Sequence, residues 1–130
     1  AAAARRIADT LKARPDAHEV VLIDLCRRDV SYAVSEAFRL SSMVLCSVTY
    51  DGGIFPSMHT FIHHLCSKKL ANRRIALVEN GSWAPQAARI MASELSGLPG
   101  TTIIAPTLTL HSRLHRPDNA TIEAICAQLP

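Results

Sequence analysis

Ser42-Met43-Val44-Leu45-Cys46-Ser47-Val48-Thr49-Tyr50-Asp51-Gly52-Gly53 is the stretch on which the fold class turns. Residues 42–47 form a short apolar run without polar alternation. A strand covered on both faces needs that composition, and such strands occur in parallel sheets sandwiched by helices. The run leads into a loop with paired glycines, which let the backbone reach positive φ and come close to a ligand.

Similar runs recur on either side. Val20-Val21-Leu22-Ile23 lies within 19–25, Arg74-Ile75-Ala76-Leu77-Val78-Glu79 covers 74–79, and Thr101-Thr102-Ile103-Ile104-Ala105 covers 101–105. Each reads as a buried strand. Helical patterns separate them. The alanine-rich 1–14 carries Ile7, Ala8 and Leu11 at helical spacing and is stopped by Pro15-Asp16. Residues 31–40 read as a short helix with Asp29 or Ser31 as N-cap. Pro56 opens a helix to about Lys69 with Met58, Phe61, Ile62 and Leu65 on one face. Pro85 suits the first turn of a helix to about Leu95, and Pro117-Asp118-Asn119 begins one that ends near Leu129. The order α-β-α-β-α-β-α-β-α predicts right-handed crossovers and a parallel sheet between helix layers. In such sheets ligands bind beyond the carboxyl ends of the strands. Three loops qualify: those after Ser47, after Glu79 and after Pro106.

Bulk properties narrow the function classes. A length of 130 residues suits one domain spanning 1–130, and 48% hydrophobic residues against 19% charged ones supply a core. The formal charge of +3 is spread over pairs such as Arg5-Arg6, Arg27-Arg28, Lys68-Lys69 and Arg73-Arg74. Nucleic-acid binding calls for a concentrated basic stripe with aromatics between, and aromatics are 5% of this chain. The four cysteines, Cys26, Cys46, Cys66 and Cys126, form no Cys-x-x-Cys pair and read as free thiols of a reducing compartment. No signal-peptide pattern and no apolar run near the ~20 residues of a membrane span occurs. The expectation is a cytoplasmic protein that binds neither nucleic acid nor membrane.

Two loops carry the functional reading. In the first, Thr49 and Tyr50 add hydroxyls and an aromatic face to Gly52-Gly53. In the second, Glu79-Asn80-Gly81-Ser82-Trp83-Ala84-Pro85, the single tryptophan sits at the same edge of the sheet. An aromatic on each side of one cleft makes a stacking site for a flat ring. An ordinary βα turn with Tyr50 on the surface, and Trp83 packed back on the domain, is the plainer reading of each loop alone.

Ser47-Val48-Thr49-Tyr50-Asp51-Gly52-Gly53-Ile54-Phe55-Pro56 and Glu79-Asn80-Gly81-Ser82-Trp83-Ala84-Pro85 resemble the flavodoxin domain of flavodiiron proteins, the A-type flavoproteins. The family's forms are close to Ser-Pro-Thr-Tyr-Asn-x-Gly-Ile-Phe-Pro and Glu-Asn-Gly-Ser-Trp-Ala-Pro, and the resemblance runs from about Val20 to Leu98. The chain departs at Val48, where Pro is common, and at Asp51, where Asn is common. A carboxylate at Asp51 would disfavour an anionic reduced ring.

The resemblance implies a flavodoxin-like three-layer α/β sandwich that binds FMN. Thr49, Tyr50, Asp51, Gly52 and Gly53 would lie on one side of the isoalloxazine; Asn80, Gly81, Ser82 and Trp83 would meet the other through amides and the indole. It implies an electron-transfer role for O2 or NO reduction. The partners would be a di-iron metallo-β-lactamase-like domain of the parent protein, a second subunit of a homo-oligomer, and a donor such as rubredoxin or a reductase. The chain alone would hold no complete active site. A flavodoxin starts with a strand and a Ser/Thr/Gly-rich phosphate loop. This sequence opens in what reads as the helix after them, so the first strand, central in the order 2-1-3-4-5, and the phosphate loop are expected outside the chain. The alternative function is a non-catalytic flavodoxin-like interaction or scaffold domain without FMN.

Other constellations are weaker. His59 and His63 stand four apart on one helix, a ligand spacing, without a third ligand nearby in sequence, and read as exposed histidines. His111 and His115 fall in the last carboxyl-edge loop. Asp24 and Asp51 at strand ends raise a phospho-acceptor receiver domain, which would need a Lys after its last strand; Thr107-Leu108-Thr109 stands there instead. Ser82 lacks the context of a nucleophile elbow.

Overall fold

The computed structural model describes residues 2–14, 19–50, 53–54, 56–80, 86–110 and 118–129. Its elements are α1 (Ala2–Lys12), α2 (Val30–Arg39), β1 (Ser42–Tyr50), β2 (Gly53–Ile54), α3 (Pro56–Ser67), β3 (Arg74–Asn80), α4 (Ala87–Leu95), β4 (Thr102–Leu110) and α5 (Asp118–Gln128). The sheet order is β2-β1-β3-β4. β1, β3 and β4 run parallel, and β2 is a short antiparallel return that the sequence reading did not include.

The apolar runs are buried for the reason their composition suggests. Along β3 alternate residues face opposite layers. Ile75 and Leu77 join Leu45 of β1 and the buried faces of α2, α3 and α4, including Val34, Phe61, Leu65, Met91 and Leu95. Ala76 and Val78 join Ile104, Leu108 and Leu110 of β4 with Ile7 of α1 and Ile122 and Ile125 of α5. Two cores therefore sandwich one sheet, which is the expected three-layer α/β architecture. Arg14 links the outer helices by donating from Nη1 to the carbonyls of Cys126 and Leu129, at 2.5 and 2.8 Å. Those carbonyls belong to the end of α5, where helix carbonyls lack intrahelical partners.

Local signals explain several boundaries. Asp29 caps α2 by accepting from the Ser31 amide at 3.0 Å, which decides between the two predicted caps. α3 begins at Pro56 as predicted. α4 is different: Gln86 stands at its N-cap without a side-chain cap hydrogen bond, and Pro85 lies outside the described residues.

Two strand expectations need correction. Residues 19–25 are not a strand. A strand is defined by its ladder, and among the described residues no neighbouring strand pairs with this segment. Its side chains still alternate: Ile23 and Leu25 pack on the α2–α3–α4 core, while Leu22 is 47% exposed. At the other end, β4 continues past Pro106 to Leu110. Pro106 has no N–H to give a ladder. The register jumps there, from Ala76↔Ile104 to Val78↔Leu108, so a bulge absorbs the proline and pairing resumes.

Candidate functional site

Because β1, β3 and β4 are parallel, their carboxyl ends share one edge. The register aligns Val48 with Asn80, and Asn80 with Leu110. β1 continues through Thr49 and Tyr50, then returns as β2 with Thr49 opposite Ile54 and Tyr50 opposite Gly53. Asn80 thus stands opposite Val48, just before Thr49 and Tyr50, while Gly53 lies across β1 from it on β2, and α4 packs against both β1 and β2. The structure brings together the stems of the two predicted loops. Asp51, Gly52, Gly81, Ser82 and Trp83 lie outside the described residues, as do the side chains of Thr49 and Tyr50. The third loop begins after Leu110 rather than after Pro106, and His111 and His115 lie outside the described residues.

One residue at this edge has contacts that sequence reasoning did not foresee. Glu79 is only 8% exposed, at the last full turn of pleat before the second loop. A buried carboxylate requires partners. Its Oε1 accepts from the Ala88 amide at 3.1 Å and its Oε2 from the Thr109 hydroxyl at 2.7 Å. Ala88 is in the first turn of α4, whose N-cap residue Gln86 makes no side-chain cap hydrogen bond, and a strand residue nine positions upstream takes the Ala88 N–H. Thr109 is Glu79's ladder partner on β4. The signal in the sequence was an acidic residue ending an otherwise apolar strand. Its partners are separated by 9 and 30 residues and follow no local rule.

The remaining polar groups do not converge on this edge. His59 is exposed and its Nδ1 lies 2.8 Å from Glu94 Oε1 on α4. His63 turns toward His64 instead, ring edge to face with centroids 6.1 Å apart. Among the described residues no group of three or more His, Cys, Asp or Glu is placed to hold a metal ion. Asp24 is exposed, its Oδ1 accepting from the Cys26 amide at 2.9 Å and its carboxylate 3.7 Å from Arg27. The four cysteines are free: Cys126 is buried, Cys46 and Cys66 half-buried and Cys26 exposed. Burial pushes the Cys46 thiol up to about 11 and raises those of Cys66 and Cys126 as well. Low-pKa reactive cysteine chemistry therefore has no support at these three. A largely apolar groove of about 470 Å³ runs between α2 and α3, lined by Val30, Val34, Phe38, His64 and Lys68 among others, and contains none of the loop residues. No helix among the described residues is long and apolar enough to cross a membrane.

Several solved structures share this architecture. Rubredoxin oxygen:oxidoreductase from Desulfovibrio gigas superposes with a TM-score of 0.89 at 16% identity, over 98% of this chain and 31% of that one. Flavodoxin 1 from Bacillus cereus superposes at 0.79 with 17% identity, over 97% of this chain and 85% of that one. The fold is flavodoxin-like. A variant flavo di-iron protein from Thermotoga maritima matches at 0.74 and 18% identity, again over 97% of this chain and 31% of that one. The chain thus spans less than a third of the length of these two larger proteins. No protein-family model and no curated protein matches it in sequence.

Proposed function

We propose that this flavodoxin-like domain, residues 1–130, binds FMN and transfers electrons within a flavodiiron-type oxidoreductase that reduces O2 or NO. The observation that supports the reading most is the adjacency of the two motif stems at the carboxyl edge: Thr49 and Tyr50 at the end of β1, returning as β2 at Gly53, and Asn80 at the end of β3 on the other side of β1. Ligands of parallel α/β sheets lie beyond that edge. The donor chemistry fits a flavin ring, because the ring presents amide-like edges to backbone N–H and to an Asn side chain, and flat faces to Tyr50 and Trp83. The proposal concerns the ring and assigns no residue to the phosphate.

FMN, when bound, supplies the one- and two-electron chemistry; the protein supplies position and environment. Thr49, Tyr50, Asp51, Gly52 and Gly53 would bound the ring on the β1 side, and Asn80, Gly81, Ser82 and Trp83 on the β3 side. Asp51 would set a negative charge beside the ring. The two loops would exclude water and orient the ring edge. The proposed partners are a di-iron metallo-β-lactamase-like domain of a longer parent protein, a second subunit, and a donor such as rubredoxin or a reductase, in a cytoplasmic setting.

Titration of the purified chain and of its longer parent with FMN tests this reading. The expected result is a shifted flavin absorption spectrum with mutual quenching of flavin and Trp83 fluorescence. Absence of binding by the parent protein sinks it. A second reading, an interaction or scaffold domain without FMN, is favoured by one observation. Among the described residues no strand pairs with residues 42–46 on the side of β1 away from β3, and an open strand edge is a surface for main-chain pairing. FMN binding by the parent separates the two.

A further inference from the structure

We propose that Glu79 is a positioning residue that holds the end of β3 and the first turn of α4, the two described ends of the second motif, in fixed relation by joining both to β4. The loop leaves the sheet at Asn80 and re-enters regular structure at Ala87. Glu79 sits immediately before the departure point, and its Oε1 takes the Ala88 amide just after the return, at 3.1 Å. The same carboxylate takes the Thr109 hydroxyl through Oε2 at 2.7 Å. One side chain therefore fastens the start of the loop, its end and the neighbouring strand.

Three features make this a clamp rather than a generic buried contact. First, the Gln86 side chain at the N-cap position of α4 makes no cap hydrogen bond. The exposed dipole end of the helix makes a carboxylate the favoured acceptor there. Second, Glu79 is 8% exposed, and among the described residues it has no cationic partner that would hold it elsewhere. A buried charged acceptor in this setting makes hydrogen bonds stronger than neutral ones, and losing them leaves the amide unsatisfied. Third, Glu79 and Thr109 are register partners on adjacent strands, so the acceptor is held by a rigid sheet and not by a mobile loop. Two chain ends held in fixed relation before a ligand arrives lower the ordering cost of binding at that edge.

The clamp itself does not depend on the flavin reading; its consequence for FMN affinity does rest on that reading. The test uses the ligand-free chain, where Trp83 is the sole tryptophan and reports on the loop. Hydrogen exchange at Ala88, Trp83 emission and anisotropy, and global unfolding are compared for wild type, Glu79→Ala, Glu79→Gln and Thr109→Val. Glu79→Ala is expected to speed exchange at the Ala88 amide by about tenfold or more and to change the Trp83 signal, while exchange in β3 changes far less. Glu79→Gln keeps an acceptor for Ala88 and is expected to restore most of the protection. Thr109→Val removes one of the two bonds, gives an intermediate result, and decides the matter should Glu79→Ala fail to fold. Equal acceleration throughout the domain, or an unchanged Ala88 amide and Trp83 signal, overturns the clamp. In a separate arm, FMN titration of the parent protein tests the flavin reading: loss of that reading leaves the ligand-free results to judge Glu79 alone.

Discussion

β3 and β1 are built from the same kind of sequence, yet they sit in different surroundings. In β3 every residue from Ile75 to Glu79 is buried. In β1 Leu45 and Ser47 are buried, but Met43, Val44 and Cys46 are only half-buried. β3 has β1 on one side and β4 on the other. Among the described residues β1 has β3 on one side and, on the other, only the two-residue β2 opposite Thr49 and Tyr50. Both strands are sandwiched by helices, so helix cover alone does not bury a strand. Flanking strands and the side chains they carry supply the rest. The irregular 19–25 segment shows the same lesson more strongly, with Leu22 at 47% exposure despite its apolar run.

The largest effect should separate the paired residues Ile75 and Met43, which share a face of the sheet. Ile75 is fully buried, so Ile75→Ala is expected to cost about 3–5 kcal/mol. Met43→Ala, at its half-buried neighbour, is expected to cost about half as much. Urea unfolding of both variants measures the difference; equal losses would mean that β1 is as enclosed in solution as β3, and the comparison would break.

Next in size is the turn that feeds β3 and β4. Gly100 has φ +67°, and a Cβ there would come within 2.0 Å of Asn72 Oδ1. The two turns are tied by the Asn72 amide donating to the Pro99 carbonyl at 2.9 Å. Gly100→Ala is expected to cost about 1–3 kcal/mol, read as a lowered denaturant midpoint. A neutral result would show that this side of the sheet is as loose as the free side of β1.

A pH experiment probes β1 through Cys46. Burial holds its thiol protonated in the folded chain up to about 11, above the ordinary 9.0 of the unfolded one. The folded state then binds more protons than the unfolded state between these values. This contribution to stability is complete below pH 9 and declines as pH rises toward 11. Cys66 and Cys126 are raised in the same sense, so Cys46→Ala should reduce the slope of stability against pH in that window without abolishing it. An unchanged slope would mean that solvent reaches Cys46 along the open side of β1.

The smallest effect is expected at Leu22. Leu22→Ser should change stability by no more than about 0.5 kcal/mol, as exposed positions usually do. A loss several times larger, again by urea unfolding, would show that residues 19–25 are enclosed in solution and would remove the contrast with β3.

Much of the fold could be read because its signals are local. Asp29 before an apolar helical pattern, Pro56 at a helix start, and the uninterrupted run Ile75-Ala76-Leu77-Val78 each carry their own physical reason. The stems of the candidate site were also legible, since Thr49, Tyr50 and Asn80 end two apolar runs that a parallel sheet places side by side. Glu79 was read as the end of a strand and the first residue of the second motif, with no contacts of its own. Nothing near it in sequence marks Ala88 and Thr109 as its partners, because those contacts exist only once α4 and β4 have packed.

By itself the sequence determined the alternation of helices and apolar strands, the two-faced burial pattern and the two loops at one edge of the sheet. These follow from periodicity and turn chemistry, which act over a few residues. The tertiary structure alone decided that 19–25 does not become a strand, that β4 resumes beyond Pro106, and that Glu79 caps a helix it does not belong to. Each of these depends on a partner distant in sequence, for a ladder needs a neighbouring backbone and a buried carboxylate needs donors.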